Sequence, residues 1–486
     1  MSGGRTLIGR RRFPTTWSGI LMIVVIICAL LQLAFLSLGD SSDSGGDFND
    51  SSAAILSMVP SGLHKFLTPR PRNLSHVHQN GTTANLIYRQ ALNISEMKRN
   101  IALYNLQQTV YNEDLFGSLQ NDSVVIVVQI HDRITYLRHL IVSLAQARDI
   151  SQALIVFSHD IYDEEINTLV QSIDFCKVMQ IFYPYSIQVH PSQFPGEDPN
   201  DCPRDIKREQ ALIRNCNNAL FPDLYGHYRE AKFTQTKHHW WWKANRVFNQ
   251  LDVTRNHTGL VVFLEEDHFV AEDFIHVLKL MDRTCKASCR YCNILSLGTY
   301  LKTYNYYGKK EVLRAMKQQS VVNAGQVQPS WSFQVLPSLY QHSQKVEITP
   351  WISSKHNMGM AFNRTTWMKI VGCADYFCKY DDYNWDWSLQ QVSQNCLKQK
   401  LHAMVVRGPR VFHIGECGVH HKKKNCESTA VISKVQKVLK SAKRHLYPDY
   451  MTLTYVTPLK KQKIRKGNGG WGDRRDHMLC MGMTLR

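Results

Sequence analysis

Residues 123–129 (SVVIVVQ), 153–160 (ALIVFSHD) and 178–182 (VMQIF) are apolar or β-branched runs that show none of the alternation of a strand with one wet face. A strand that keeps no polar face belongs inside a sheet covered on both sides. Between these runs, Ile134, Leu137, Leu140, Ile141 and Leu144, and then Ile166, Leu169, Val170 and Ile173, recur at helical spacing. Alternating strand and helix predicts an α/β fold with a mostly parallel central sheet. Such open sheets bind ligands at the carboxyl ends of their strands. A further run, Leu260 to Leu264, follows a helical pattern at Trp241, Ala244, Asn245, Phe248 and Leu251.

The strand ends are where the chemistry is expected. Residues 259–268 (GLVVFLEEDH) end an apolar run abruptly in Glu265, Glu266, Asp267 and His268. Adjacent carboxylates repel one another, which disfavours burying them unless a cation is present. Oxygen donors suit Mg or Mn, and a cation bridging a diphosphate needs few protein ligands. The plain alternative is an acidic strand end facing water. Gln129, His131 and Arg133 follow the first strand and Ser158, His159 and Asp160 the second, where Asp suits a ribose or uracil donor and Arg an anionic group. Each is an ordinary loop polar by itself; their shared position gives them weight.

Three other clusters allow two readings each. In residues 235–243 (QTKHHWWWK) the tryptophans point in three directions on a helix and read as packing, with the polar residues before them as nucleotide contacts. Neighbouring histidines on a helix diverge too far to share a zinc easily. Residues 380–387 (YDDYNWDW) alternate Asp381, Asp382 and Asp386 with large aromatics, either a sugar-binding wall with a proton acceptor or a buried aromatic turn. His413 ends another apolar segment, where its imidazole suits a Mn shell. Cys285, Cys289 and Cys292 lack a fourth zinc ligand at matching spacing.

Outside this region the chain reads as a targeting arrangement. Residues 20–38 are almost wholly apolar, long enough to span a bilayer, with arginines before and acidic residues after. The expected organisation is a cytosolic tail (1–16), a signal anchor (17–39), a lumenal stem (40–120) and a catalytic domain (121–486) with a surface insertion at 316–344. Seven sequons, at Asn49, Asn73, Asn80, Asn93, Asn121, Asn256 and Asn363, and twelve cysteines after Cys28 suit an oxidising lumen. The net charge of +18 is spread over both termini with no nucleic-acid-binding motif beside it, so nucleic acid is not an expected partner.

FLEEDH, REAKFTQTKHHWWWK, HNMGMAF, YDDYNWDW, FHIGECGVHHKK and GGWGDRRDH together resemble the N-acetylglucosaminyltransferase II family over roughly residues 100–480. The resemblance implies a GT-A-type, Rossmann-like catalytic domain. It also implies an inverting transfer of N-acetylglucosamine (GlcNAc) from UDP-GlcNAc, with Mn2+ as cofactor. The acceptor it implies is the terminal mannose of the α1,6 arm of a glycoprotein N-glycan, joined in β1,2 linkage as hybrid glycans become complex. Location follows as a single-pass type II protein of the Golgi membrane with its catalytic domain in the lumen.

Carried over by motif, Asp267 and His413 would ligate Mn2+ and Asp386 would act as base. Gln129, Ile130, His131, Asp132, Arg133, Asp160, Gln235, Thr236, Lys237, His238 and His239 would form the UDP-sugar site. The implied disulfides are Cys202–Cys216, Cys289–Cys292, Cys373–Cys396, Cys378–Cys480 and Cys417–Cys426, leaving Cys28, Cys176 and Cys285 unpaired. The chain departs from the family pattern in its extra Cys285, the 316–344 segment, and Tyr304, with Lys302 nearby, where the family has an arginine after LSLGTY. The rival readings are a lectin-like lumenal protein without turnover and a β1,2-transferase acting on the α1,3 arm.

Overall fold

The computed structural model describes residues 55–68, 93–298, 339, 341–415, 428–456 and 466–484. The tail, the anchor with Cys28, most of the 316–344 segment, Lys302 and Tyr304, and the Cys417–Cys426 pair lie outside the described residues. Among the described residues no helix is long and apolar enough to cross a membrane.

The expected runs are strands. β1 (Val110–Tyr111), β2 (Val125–Ile130), β3 (Leu154–His159), β4 (Lys177–Phe182) and β5 (Leu260–Glu265) belong to the central sheet, as do β7 (Ile294–Ser296), β8 (Lys345–Pro350), β9 (Met360–Asn363), β10 (His402–Val406) and β12 (Thr452–Tyr455). Their order is β1-β4-β3-β2-β5-β9-β7-β10-β8-β12. The block β4-β3-β2-β5 is parallel throughout. Beyond β5 the sheet is mixed: β9 runs against both β5 and β7, β8 runs against β10, and β7–β10 and β8–β12 are parallel. Five of the nine described pairings are therefore parallel. A separate ribbon pairs β6 (His268–Val270) with β11 (Val411–His413).

Both faces of the parallel block are covered, which is why its strands need no polar side. Ile126, Val128 and Ile130 pack with α2 (Ile134–Ala145), α3 (Glu164–Gln171) and α5 (Phe274–Ser288). Val125 and Val127 face α4 (Ala231–Asn245), α6 (Arg364–Val371), α7 (Ala374–Lys379), α8 (Trp385–Asn395) and α9 (Arg474–Gly482). The three tryptophans of α4 are all buried, as packing residues should be. Trp240 stacks on Trp385 at 4.4 Å and Trp241 on Phe377 at 4.2 Å.

The packed domain reaches further toward the N-terminus than residue 121. Within the segment 40–120, read from sequence as a stem, α1 (Ile94–Gln107) buries Ile101 against Phe182 and Val189, and β1 pairs with β4. A short helical turn, His64–Leu67, sinks Phe66 into the core edge-on to Phe175, and Arg138 Nη1 donates to the Phe66 carbonyl at 2.9 Å. Single buried side chains such as Ile55, Val59 and Phe66 make no periodic pattern, so this docking leaves little trace in composition. Leu339, inside the expected surface insertion, is also buried, beside Phe412 and Ile432.

Four of the implied disulfides are formed: Cys202–Cys216, Cys289–Cys292, Cys373–Cys396 and Cys378–Cys480. Cys176 and Cys285 are free thiols. With Cys289 and Cys292 joined to each other, a zinc centre at that triplet would be left with Cys285 alone.

Candidate active site

The acidic run is held by pairing on both sides of it. Glu266 N–H donates to the Gln129 carbonyl at 3.0 Å, carrying the β2–β5 ladder one step past the strand. The chain then turns back as β6, and the β6–β11 register sets His268 opposite His413. That brings His413 Nε2 to 3.1 Å from Asp267 Oδ2. Ile414 N–H donates to the Asp267 carbonyl at 2.8 Å, and Gly415 follows directly behind the carboxylate.

The three acids are not equivalent. Glu266 is a brace: it accepts from Arg133 Nε at 2.7 Å and from the His131 backbone N–H at 2.8 Å. Asp267 Oδ2 accepts from Arg133 Nη1 at 2.8 Å, while its Oδ1 is buried with no hydrogen-bond partner among the described residues. Burial alone would raise the pKa of Asp267, but His413 and Arg133 outweigh it and hold the carboxyl well below its usual range. Burial, with the charge of Asp267 beside it, raises Glu265 instead.

Glu265, Asp267 and His268 offer donor atoms within 4.8 Å of one another. However, His268 Nδ1 accepts from the Glu265 N–H at 3.1 Å, so that nitrogen is already used. A buried, ionised and unsatisfied carboxylate oxygen beside an imidazole fits a divalent cation with mixed oxygen and nitrogen preference.

A Cβ at Gly415 would run into the Asp267 carboxylate. Gly415→Ala is therefore expected to turn that carboxylate aside and weaken metal-dependent activity by about 10- to 100-fold, the range seen when groups supporting metal ligands are disturbed. Titrating activity against Mn2+ checks this, with the wild-type midpoint as reference.

Beside the acids, α4 presents Gln235, His239 and Lys243 at i, i+4 and i+8 to the ends of β2 and β3. Asp160 is the hub. Its Oδ1 accepts from His131 Nδ1 at 2.7 Å and its Oδ2 from Gln235 Nε2 at 3.1 Å, with His239 Nδ1 at 3.5 Å. His239 Nε2 lies 2.8 Å from Ser158 Oγ. The Asp160 hydrogen bond lifts His131 to about 9 against its partial burial, so a cationic imidazole stands at the mouth of the crevice. Lys243 Nζ, buried, donates to Gln129 Oε1 at 2.5 Å.

The structure thus brings Gln129, His131, Arg133, Asp160, Gln235, His239, Asp267 and His413 together. Asp132 is exposed next to His131 and Thr236 is half-buried on α4. Ile130 has its side chain in the core, which leaves only its backbone for a ligand.

Two of the expected nucleotide contacts have other partners in this structure. Lys237 and His238 lie about 200° and about 100° around the helix from His239, at about 100° per residue, and their side chains are bonded on other sides of the helix. Lys237 Nζ donates to the Tyr380 and Asp382 carbonyls at 3.0 and 2.9 Å. His238 Nε2 meets Asp476 Oδ1 at 3.0 Å. Asp476 also accepts from Arg229 Nε at 2.9 Å, all fully or nearly buried. Asp476→Ala takes the nearer of two carboxylates from the buried Arg229 cation and leaves Asp201 Oδ2 at 3.4 Å, and breaking a buried pair from one side costs roughly 3–5 kcal/mol. A lower thermal unfolding midpoint is the expected readout. Lys243, not among the expected contacts, joins them at i+4 from His239, a spacing visible in the sequence.

The acidic aromatic segment divides the same way. Asp381 accepts from Leu224 N–H at 2.6 Å and Trp471 N–H at 3.0 Å, and Asp382 accepts from the backbone and side chain of both Asn384 and Asn468. Both are spent holding loops. Asp386, in the first turn of α8, accepts the Trp387 N–H at 2.9 Å and Asn357 Nδ2 at 3.2 Å. Burial, with the charges of Asp382 and Glu265 adding to it, pushes Asp386 up to about 7.

The family model described as N-acetylglucosaminyltransferase II (MGAT2) matches residues 98–337 and 332–480. The alpha-1,6-mannosyl-glycoprotein 2-beta-N-acetylglucosaminyltransferase of Rattus norvegicus is 41% identical over 432 residues, covering 89% of this chain and 84% of the rat protein. The Homo sapiens protein of the same name is 40% identical over 376 residues, covering 77% and 76%. The Arabidopsis thaliana protein of that name is 31% identical over 376 residues, covering 76% of each chain.

Proposed function

The chain belongs to the N-acetylglucosaminyltransferase II family, and from that premise we propose how its crevice carries out the transfer. The protein is a glycosyltransferase that adds GlcNAc in β1,2 linkage to the α1,6-arm mannose of N-glycans. Its donor is UDP-GlcNAc, its catalytic domain is GT-A-type, and it works in the Golgi lumen behind an N-terminal anchor. The observation that carries the mechanism is the division of labour among the described carboxylates: Asp267 keeps a buried oxygen with no hydrogen-bond partner, while Asp386 is lightly bonded and lifted by burial to about 7.

Asp160 with Gln235 and His239 receives the nucleoside, and His131 and Arg133 supply positive charge toward its diphosphate. Asp267 and His413 would hold Mn2+, which when bound neutralises the charge that develops on the departing diphosphate. No protein acid is then required on the leaving side. Asp386 takes the proton from mannose O2 as that oxygen bonds to the GlcNAc anomeric carbon and the bond to UDP breaks. One displacement turns the α-linked donor into a β-linked product.

A base must be deprotonated to act, so transfer should rise with pH and level off above about 7, the value to which burial lifts Asp386. Below it, kcat should fall about tenfold per pH unit. A kcat profile measured at saturating donor and metal checks the limb. The proposal itself is tested with UDP-GlcNAc, Mn2+ and two N-glycan acceptors, one open only at its α1,6 arm and one only at its α1,3 arm. Product mass and linkage should show one β1,2-linked GlcNAc on the α1,6 arm. Transfer to the α1,3 arm, or binding without product, would return the reading to one of its rivals.

A further inference from the structure

Three sequons, Asn121, Asn256 and Asn363, lie beyond the stem, far apart in the chain. The fold gathers them on one edge. Val125 of β2 stands opposite Val261 of β5 in the parallel block, so Asn121 and Asn256 both sit just before the starts of neighbouring strands. The two loops touch: a Cβ on Gly259 would meet both the Ser123 carbonyl and the His257 ring. Asn363, the last residue of β9, pairs with Leu260 at that same edge. A cleft of about 540 Å³ there is lined by Thr258, Arg364, Thr365, Met368 and Lys369, so the hydroxyl residues of two sequons share one hollow. Gln129, Ser158 and Glu265 lie at the opposite ends of these strands, facing the crevice.

The three asparagines differ in what they are free to do. Asn121 and Asn256 are exposed, in the turn before β2 and the loop before β5. Asn363 is half-buried at a strand end, and its Oδ1 accepts the Thr366 N–H at 3.1 Å to start α6. Its neighbour Arg364 is pinned to the Thr254 carbonyl at 2.7 Å, on the loop that carries Asn256.

We propose that N-linked glycans are attached at Asn121 and Asn256 and not at Asn363. This rests on the lumenal placement given above. Attachment forms a bond from the asparagine Nδ2 to the anomeric carbon of an oligosaccharide and breaks that carbon's bond to a diphosphate carrier, with one amide proton released. The oligosaccharide diphosphate is the co-reactant of the secretory pathway. Both glycans then sit on the face away from the crevice, where they leave the acceptor path open.

The test uses the full chain made in a eukaryotic cell, digested and treated with peptide N-glycosidase in heavy-oxygen water, which marks each occupied asparagine by mass. Label at Asn121 and Asn256 with Asn363 unlabelled is the expected result. Asn256→Gln should also migrate faster on a denaturing gel while its transfer rate stays unchanged. Label at Asn363, or none at Asn121 or Asn256 while the sequons nearer the N-terminus, Asn49, Asn73, Asn80 and Asn93, are labelled, overturns the proposal alone. No label at any sequon overturns the lumenal placement and this proposal with it.

Discussion

Asp386→Asn is expected to lower kcat by about a hundred- to ten-thousand-fold, the range that a positioned base contributes. The amide keeps the shape of the carboxyl group and can still meet Asn357 and the Trp387 N–H, so the first turn of α8 should persist. Donor binding and its dependence on Mn2+ should stay near wild type, because Asp386 makes no bond to Asp160, His131 or Asp267. Stability should move the other way. Burial raises the pKa of Asp386 in the fold, so its neutral form favours folding at low pH, and that contribution is lost as pH rises toward about 7. The variant should therefore melt higher than wild type at pH 8 and about equal to it at pH 4. Turnover close to wild type would remove Asp386 from the chemistry.

Asp267→Ala is expected to fail at the opposite step. It removes the carboxylate whose Oδ1 has no partner and leaves Arg133 Nη1 and His413 facing each other without the anion between them. Metal stabilisation of a leaving diphosphate is worth several kcal/mol, so kcat/KM should drop by about a thousand-fold or more. UDP binding should lose its response to Mn2+, measured by calorimetry with and without the metal. The two variants together form a crossed test: one loses transfer and keeps metal-linked binding, the other loses the binding first. Unchanged Mn2+ dependence in Asp267→Ala would place the metal elsewhere.

The parallel core could be read from sequence because a strand buried on both faces has to be written as a continuous apolar run. The runs at 123–129, 153–160 and 178–182 became β2, β3 and β4 within a residue or two at their ends. The same logic located Gln129, Asp160 and Asp267, since strand ends in such a sheet converge on one crevice. Orientation around a helix was harder. Lys237, His238 and His239 are consecutive and chemically alike, yet only His239 points toward Asp160, because 100° per residue separates their directions and only the packing of Trp240 and Trp241 fixes the phase.

Telling apart Asp381, Asp382 and Asp386 required knowing where residues 467–471 and 222–225 return in space, a long-range fact with no local signal. The docking of Phe66 and Ile101 was hidden for a related reason: a polar segment that buries one side chain at a time looks like a linker. The disulfide pairings came from the resemblance, and spacing alone could not have chosen them.

The central claim is that Asp267 and His413 hold the metal while Asp386 stands free to take a proton. The most direct measurement is an anomalous difference map, recorded at the manganese absorption edge, from crystals grown with UDP and Mn2+. A single peak within bonding distance of Asp267 and His413, with Asp386 unliganded, is the predicted result. A peak on Asp381, Asp382 or Asp386, or no peak beside Asp267, would contradict it.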